Sequence, residues 1–230
     1  MRPEAVGRRA ILLAIALLAP VAGQSDPPTW LQGEHYFLIR PAATKVNPDN
    51  ALEVTEAFSY GCPACNQFYP VMEKLAASLP AQAHVEYLPA SFIPSESWPL
   101  FQRAYCTAQS LGVAEKAHGE MFQAIWKTGE LAIVDAATHR LKDPPPRLES
   151  VASFYSRVAG LDRQKFLDTA RSPAIDGCMQ QADRMMESYR VDSTPTLIVN
   201  GKYRMTPASA GGYEQLIELV GWLVARETPK

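Results

Sequence analysis

The chain has 230 residues, 47% of them hydrophobic, which is enough to bury a substantial core in one or two domains. Its formal net charge is −2, from 22 basic and 24 acidic residues. No basic stripe points to nucleic acid and no acidic run points to a solvating tail, so an ordinary globular protein is left.

The first residues carry an export signature. Arg2, Arg8 and Arg9 precede the apolar run 10–19, and Val21 and Gly23 are the small residues a cleavage site wants. This predicts a signal peptide over 1–23 and a mature chain beginning near Gln24, soluble in the periplasm. The apolar run is shorter than the roughly 20 residues of a membrane span. An uncleaved anchor and twin-arginine export, hinted at by Arg8-Arg9, are the alternatives. Outside the cytoplasm disulfides persist, and Cys62, Cys65, Cys106 and Cys178 allow three pairings.

HYFLI (35–39) reads as a short strand, and LEVTEAFSY (52–60) as a second strand running directly into GCPAC. From 63 to 79, Phe68, Val71, Met72, Leu75, Ala76 and Leu79 recur at helical spacing, and Pro63 suits a first turn. HVEYLPA (84–90) is a third strand, which completes a right-handed βαβ unit. From 95 to 190 the pattern is helical, with Gly112, Gly129 and Gly160 placed as caps and the proline run 144–146 as an interruption. Strand character returns at PTLIVN (195–200). Asn200-Gly201 then signals a hairpin into KYRM, and 213–227 is a last amphipathic helix. The order is βαβ, helical insertion, ββα. Residues 24–94 and 191–230 would form one α/β domain, interrupted by an all-helical domain over 95–190.

Chemistry concentrates at Cys62-Pro63-Ala64-Cys65. Cys62 falls at a helix N-terminus, where unpaired amides and the helix dipole favour thiolate. Cys65, one turn further in, keeps a higher pKa, and the asymmetry suits thiol–disulfide exchange. Zinc needs about four ligands. There is no second CxxC, and His35, His84, His118 and His139 are scattered singly, so they read as surface or satisfied core residues and no metal is expected. A purely structural bridge would close too short a loop to stabilise much. A second signal is VDSTPT (191–196), where Pro195 opens a strand. That is unremarkable by itself, but with CPAC before it and NGKY after it the combination points to a loop facing the cysteines.

EAFSYGCPACNQF, the helical insertion and TPTLIVNGKYRM together resemble the thioredoxin superfamily, and within it the DsbA-like periplasmic thiol:disulfide oxidoreductases. The resemblance covers roughly 52–227. It implies a thioredoxin-like fold, with Cys62 as the exposed nucleophile and Cys65 as the resolving thiol. It also implies that Pro195 is a cis-proline, that Thr194 contributes to substrate contact, and that Glu56 is a buried acid assisting proton transfer around Cys65. A glutamate on an apolar strand otherwise demands a partner or a raised pKa. One departure is the Pro63-Ala64 dipeptide, where well-known members carry Pro-His. Alanine cannot donate to the thiolate, which predicts a less acidic Cys62 and a weaker oxidant.

Cys106 and Cys178 are a further departure, each in its own predicted helix. They read either as two buried thiols or, in an oxidising compartment, as a structural disulfide stapling the insertion. The resulting expectation is an enzyme that introduces disulfides into reduced or unfolded exported proteins. It would be a monomer without a cofactor, re-oxidised by a DsbB-type membrane partner that the resemblance implies. A reductase or isomerase of the same superfamily is the alternative, and a holdase-like binding module a more distant one.

Overall fold

The computed structural model describes residues 29–41 and 51–228, so the expected signal segment 1–23 lies outside the described residues. The fold is organised around β2 (Leu52–Phe58), a run rich in β-branched and aromatic residues that is almost wholly buried. β2 pairs in parallel with β3 (Ala83–Pro89), which requires a crossover, and α1 (Pro63–Ser78) supplies it. On its other side β2 pairs antiparallel with β4 (Thr196–Val199). Asn200 and Gly201 both take positive φ, 55° and 63°, and turn the chain into β5 (Tyr203–Met205). β5 in turn receives β1 (Phe37–Leu38), giving the strand order β1-β5-β4-β2-β3.

β1 is shorter than the strand read over 35–39. Bonds from Gly33 N to Tyr36 O and from His35 N to Leu31 O curl the preceding residues into a turn, leaving only Phe37 and Leu38 to reach β5. β2 also stops before Tyr60. The Cys62 amide donates to Ser59 O at 3.0 Å and the Gly61 amide to Ser59 Oγ at 3.1 Å, so the chain turns there and aims Cys62 at the start of α1.

The insertion contributes α2 (Trp98–Ser110), α3 (Ala114–Trp126), α4 (Leu148–Ala159), α5 (Arg163–Ala170) and α6 (Pro173–Tyr189). α6 begins ahead of the apolar pattern because Pro173 suits a first turn. Cys106 on α2 and Cys178 on α6 are bridged, with Cα atoms 6.1 Å apart. Two short elements went unread in the sequence: a single 3₁₀ turn at Pro94–Glu96, and α7 (Pro207–Ala210), closed by reciprocal bonds between Thr206 and Ser209. α8 (Tyr213–Glu227) ends the fold.

Two apolar clusters result. One sets Leu52, Val54, Leu197 and Val199 against Phe68, Met72 and Leu75 of α1 and Leu216, Leu219 and Leu223 of α8. The other joins Ala57, Phe58 and Tyr60 at the end of β2 to the helical block through Phe101, Tyr105, Met121 and Phe122. Cys62 and Cys65 belong to this second cluster, and Ala64 packs against it. The thioredoxin-like α/β arrangement with a helical insertion is therefore the fold. No helix among the described residues is long and apolar enough to cross a membrane.

Candidate active site

Cys62 is the N-cap residue of α1, with extended backbone (φ −88°, ψ 118°), and Pro63 occupies the first turn. The motif stands in its dithiol form. Cys62 is 6% exposed and Cys65 is fully covered. The nucleophile implied by the resemblance was an exposed one. Here the sulfur is mostly shielded, because the 194–195 loop closes against it. The Thr194–Pro195 bond is cis, and the Cys62 thiol donates to the Thr194 carbonyl at 3.5 Å. The Thr194 hydroxyl is buried and without a hydrogen-bond partner among the described residues, so it is free to donate once the thiolate forms.

These surroundings drive the two thiols apart. The Cys65 thiol donating to it lowers Cys62 to a pKa of about 6, and the Thr194 side chain and the amides of Cys65 and Ala64 add to this against the opposing effect of burial. Cys65 moves far upward. Burial is the main cause, followed by its role as donor to Cys62 and by the charges of Glu56 and Cys62. Glu56 is 2% exposed, and its Oε1 has no partner among the described residues. Burial, then the nearby Cys62 charge, raise its pKa well above the ordinary carboxylate value, which favours the neutral acid, a form that can release a proton. Pro63 and Ala64 lie between the sulfurs, and Ala64 has no side-chain donor to offer.

The sequence did not reveal what holds the loop in front of Cys62. Trp126 Nε1 donates to the Tyr60 carbonyl at 2.8 Å, and the Tyr60 hydroxyl lies 2.9 Å from Nδ1 of His118. Gly61 packs against Trp98, where an added Cβ would stand 2.7 Å from the indole ring. A glycine directly before a reactive cysteine was the one available signal of such a close approach. Among the described residues there is no group of three or more His, Cys, Asp or Glu side chains able to hold a metal.

A low-pKa sulfur at a helix N-terminus, with a high-pKa sulfur one turn inside, performs reversible exchange with disulfides. The class is that of thioredoxin-fold dithiol oxidoreductases. The profile of the Thioredoxin family matches residues 47–219, most of the chain, and the protein belongs to that family. Within the family it belongs with the DsbA proteins. It is 35% identical over 216 residues to a thiol:disulfide interchange protein DsbA of Pseudomonas aeruginosa, covering 94% of this chain and 93% of that one. It is 30% identical to the DsbA of Bordetella parapertussis, covering 94% and 95%. The crystal structure of Pseudomonas aeruginosa DsbA superposes with a TM-score of 0.72 at 33% identity, covering 86% of this chain and 94% of that one. DsbA from Xylella fastidiosa gives 0.74 at 28% identity, covering 88% and 98%.

Proposed function

We propose that this protein is a periplasmic disulfide oxidoreductase that transfers its Cys62–Cys65 disulfide to exported proteins. The observation that carries the reading is the placement of the two thiols: Cys62 caps α1 with its sulfur 3.5 Å from the Thr194 carbonyl, while Cys65 is fully covered one turn inside, which lowers the pKa of the first and raises that of the second. A stabilised Cys62 thiolate favours the reduced enzyme, which makes the oxidised enzyme a donor of disulfides.

In the forward reaction a substrate thiolate attacks Cys62 Sγ and breaks the Cys62–Cys65 bond, and Cys65 leaves and takes up a proton. Glu56, an acid with a raised pKa in the same buried region, is the proton source. The substrate's second thiolate then attacks its own sulfur in the mixed disulfide and releases Cys62 as thiolate. Two electrons have passed from the substrate dithiol to the enzyme. The Thr194 backbone beside Cys62 is the surface on which an extended substrate segment docks. Phe92, 41% exposed and stacked on Trp98 beside Gly61, and the neighbouring Ile93, 37% exposed, offer apolar contact to an unfolded chain. Re-oxidation falls to a DsbB-type membrane oxidase, and the enzyme acts as a monomer. Curated relatives named as thiol:disulfide interchange proteins favour this over a reductase or isomerase.

The test is oxidation of a reduced, unfolded protein by one equivalent of the disulfide form. Free thiols of the substrate disappear as those of the enzyme appear, and Cys62→Ser abolishes the transfer. An enzyme that leaves the substrate reduced refutes the reading.

A further inference from the structure

Tyr60, the residue before Gly61-Cys62, is held at both ends by one helix. Trp126 fixes its carbonyl and His118 its hydroxyl, and both lie on α3, at sequence separations of 66 and 58. The cysteine loop is thereby tied to the helical insertion and not only to its own sheet.

His118 is 3% exposed, with Tyr87 at 4.1 Å, Phe58 at 5.0 Å and Phe122 at 5.4 Å between ring centroids. Burial lowers its pKa to about 3, so the ring is neutral. Its Nε2 is buried with no hydrogen-bond partner among the described residues, which leaves the bond to Tyr60 as the polar contact of this side chain. A half-satisfied buried histidine costs stability, and a phenylalanine would fill the same aromatic cage without that cost. The bond to Tyr60 is what histidine supplies and phenylalanine cannot. With Tyr60 fixed at both ends and Gly61 pressed on Trp98, the two residues before Cys62 have little freedom. The thiolate of Cys62 depends first on the Cys65 thiol, then on Thr194 and the amides of Cys65 and Ala64, and their reach depends on where this loop places the sulfur.

We propose that His118 is a positioning residue for thiol–disulfide exchange, holding through the Tyr60 hydroxyl the loop that sets Cys62 against its thiolate-stabilising partners. It touches neither sulfur nor substrate. The proposal rests on Cys62 and Cys65 being the exchanging pair.

The experiment compares Tyr60→Phe, His118→Phe, the double variant and His118→Asn, whose amide reaches the Nδ1 position. Leu219→Ala, in the other apolar cluster, serves as a stability control. The readouts are the pH titration of the Cys62 thiolate by ultraviolet absorbance, the alkylation rate of Cys62 near pH 6, and thermal unfolding. Each single phenylalanine variant raises the Cys62 pKa and slows alkylation about threefold to tenfold, the size of one hydrogen bond. The double variant is no worse than either single one, because all remove the same bond. Asparagine recovers most of the loss, while Leu219→Ala lowers the melting temperature and leaves the titration alone. Should His118→Phe fail to fold, Tyr60→Phe removes the bond from the other side. The proposal is overturned if the phenylalanine variants titrate like the parent, if their effects add in the double variant, or if Leu219→Ala moves the titration equally. A parent protein whose Cys62 is not acidic refutes the exchange reading itself, separately from the role of His118.

Discussion

The sulfur of Cys62 lies 3.5 Å from the carbonyl oxygen of Thr194, a residue 132 positions later in the chain. The sheet makes this meeting possible. β4 pairs antiparallel with β2, so the loop entering β4 and the turn leaving β2 arrive at the same end of the sheet. The helical insertion lies between them in sequence and packs beside them in space. Reactivity at Cys62 is therefore a property of the assembled fold.

Alkylation of Cys62 should track its thiolate. With a pKa of about 6, the rate falls about tenfold between pH 7 and pH 5 and levels off above pH 7. The same shift affects stability. The folded pKa lies below the ordinary value of 9.0, so the contribution is complete above pH 9 and is lost as the pH falls through 6. Iodoacetamide kinetics and urea unfolding of the reduced protein across pH 5–9 check both.

The largest influence lowering Cys62 is the Cys65 thiol that donates to it. Cys65→Ala removes the donor and raises the Cys62 pKa towards the ordinary range. Cys65→Ser keeps a hydroxyl donor and retains most of the acidity. Thiolate absorbance against pH separates the two variants.

Glu56 is buried and neutral, with a raised pKa. A raised folded pKa gives stability that is fully present below the ordinary carboxylate pKa and is lost as the pH rises. Glu56→Leu should therefore stabilise the reduced protein by about 1–3 kcal/mol at pH 7.5, with the gain shrinking towards pH 4. Exchange should slow in the same variant, because a proton donor near Cys65 is gone. Denaturant unfolding at the two pH values and stopped-flow exchange kinetics measure these effects.

The Cys106–Cys178 bridge closes a 72-residue separation between α2 and α6. Replacing both cysteines by alanine should cost about 3–5 kcal/mol by removing that constraint from the unfolded chain. The Cys62 titration should be unchanged, since neither sulfur is among its partners. Urea unfolding and the thiolate titration, run on the same variant, test both halves.

Much of this was legible because local chemistry marked it. Pro63 placed the helix start, Asn200-Gly201 placed the hairpin, and β-branched residues marked β2. Local marks failed where long-range contacts decided. Ser59 and Tyr60 look like strand residues, yet the Ser59 carbonyl and hydroxyl bend the chain into a turn. α6 starts at Pro173, ahead of its apolar stripe. α7 is too short for any periodicity, and its cap pairs threonine with serine where the usual signal is a glutamate. His118 looked like one lone histidine among four, because nothing in the spacing relates it to a tyrosine 58 residues away. The resemblance also implied an exposed Cys62, and the cover supplied by Thr194 became apparent only in three dimensions.

The most direct measurement is the equilibrium of the Cys62–Cys65 couple with reduced and oxidised glutathione at neutral pH. A stabilised thiolate at Cys62 favours the dithiol form, so the potential should lie clearly above the roughly −270 mV of thioredoxin. A potential at or below that of thioredoxin would contradict the oxidase reading and make the protein a reductase.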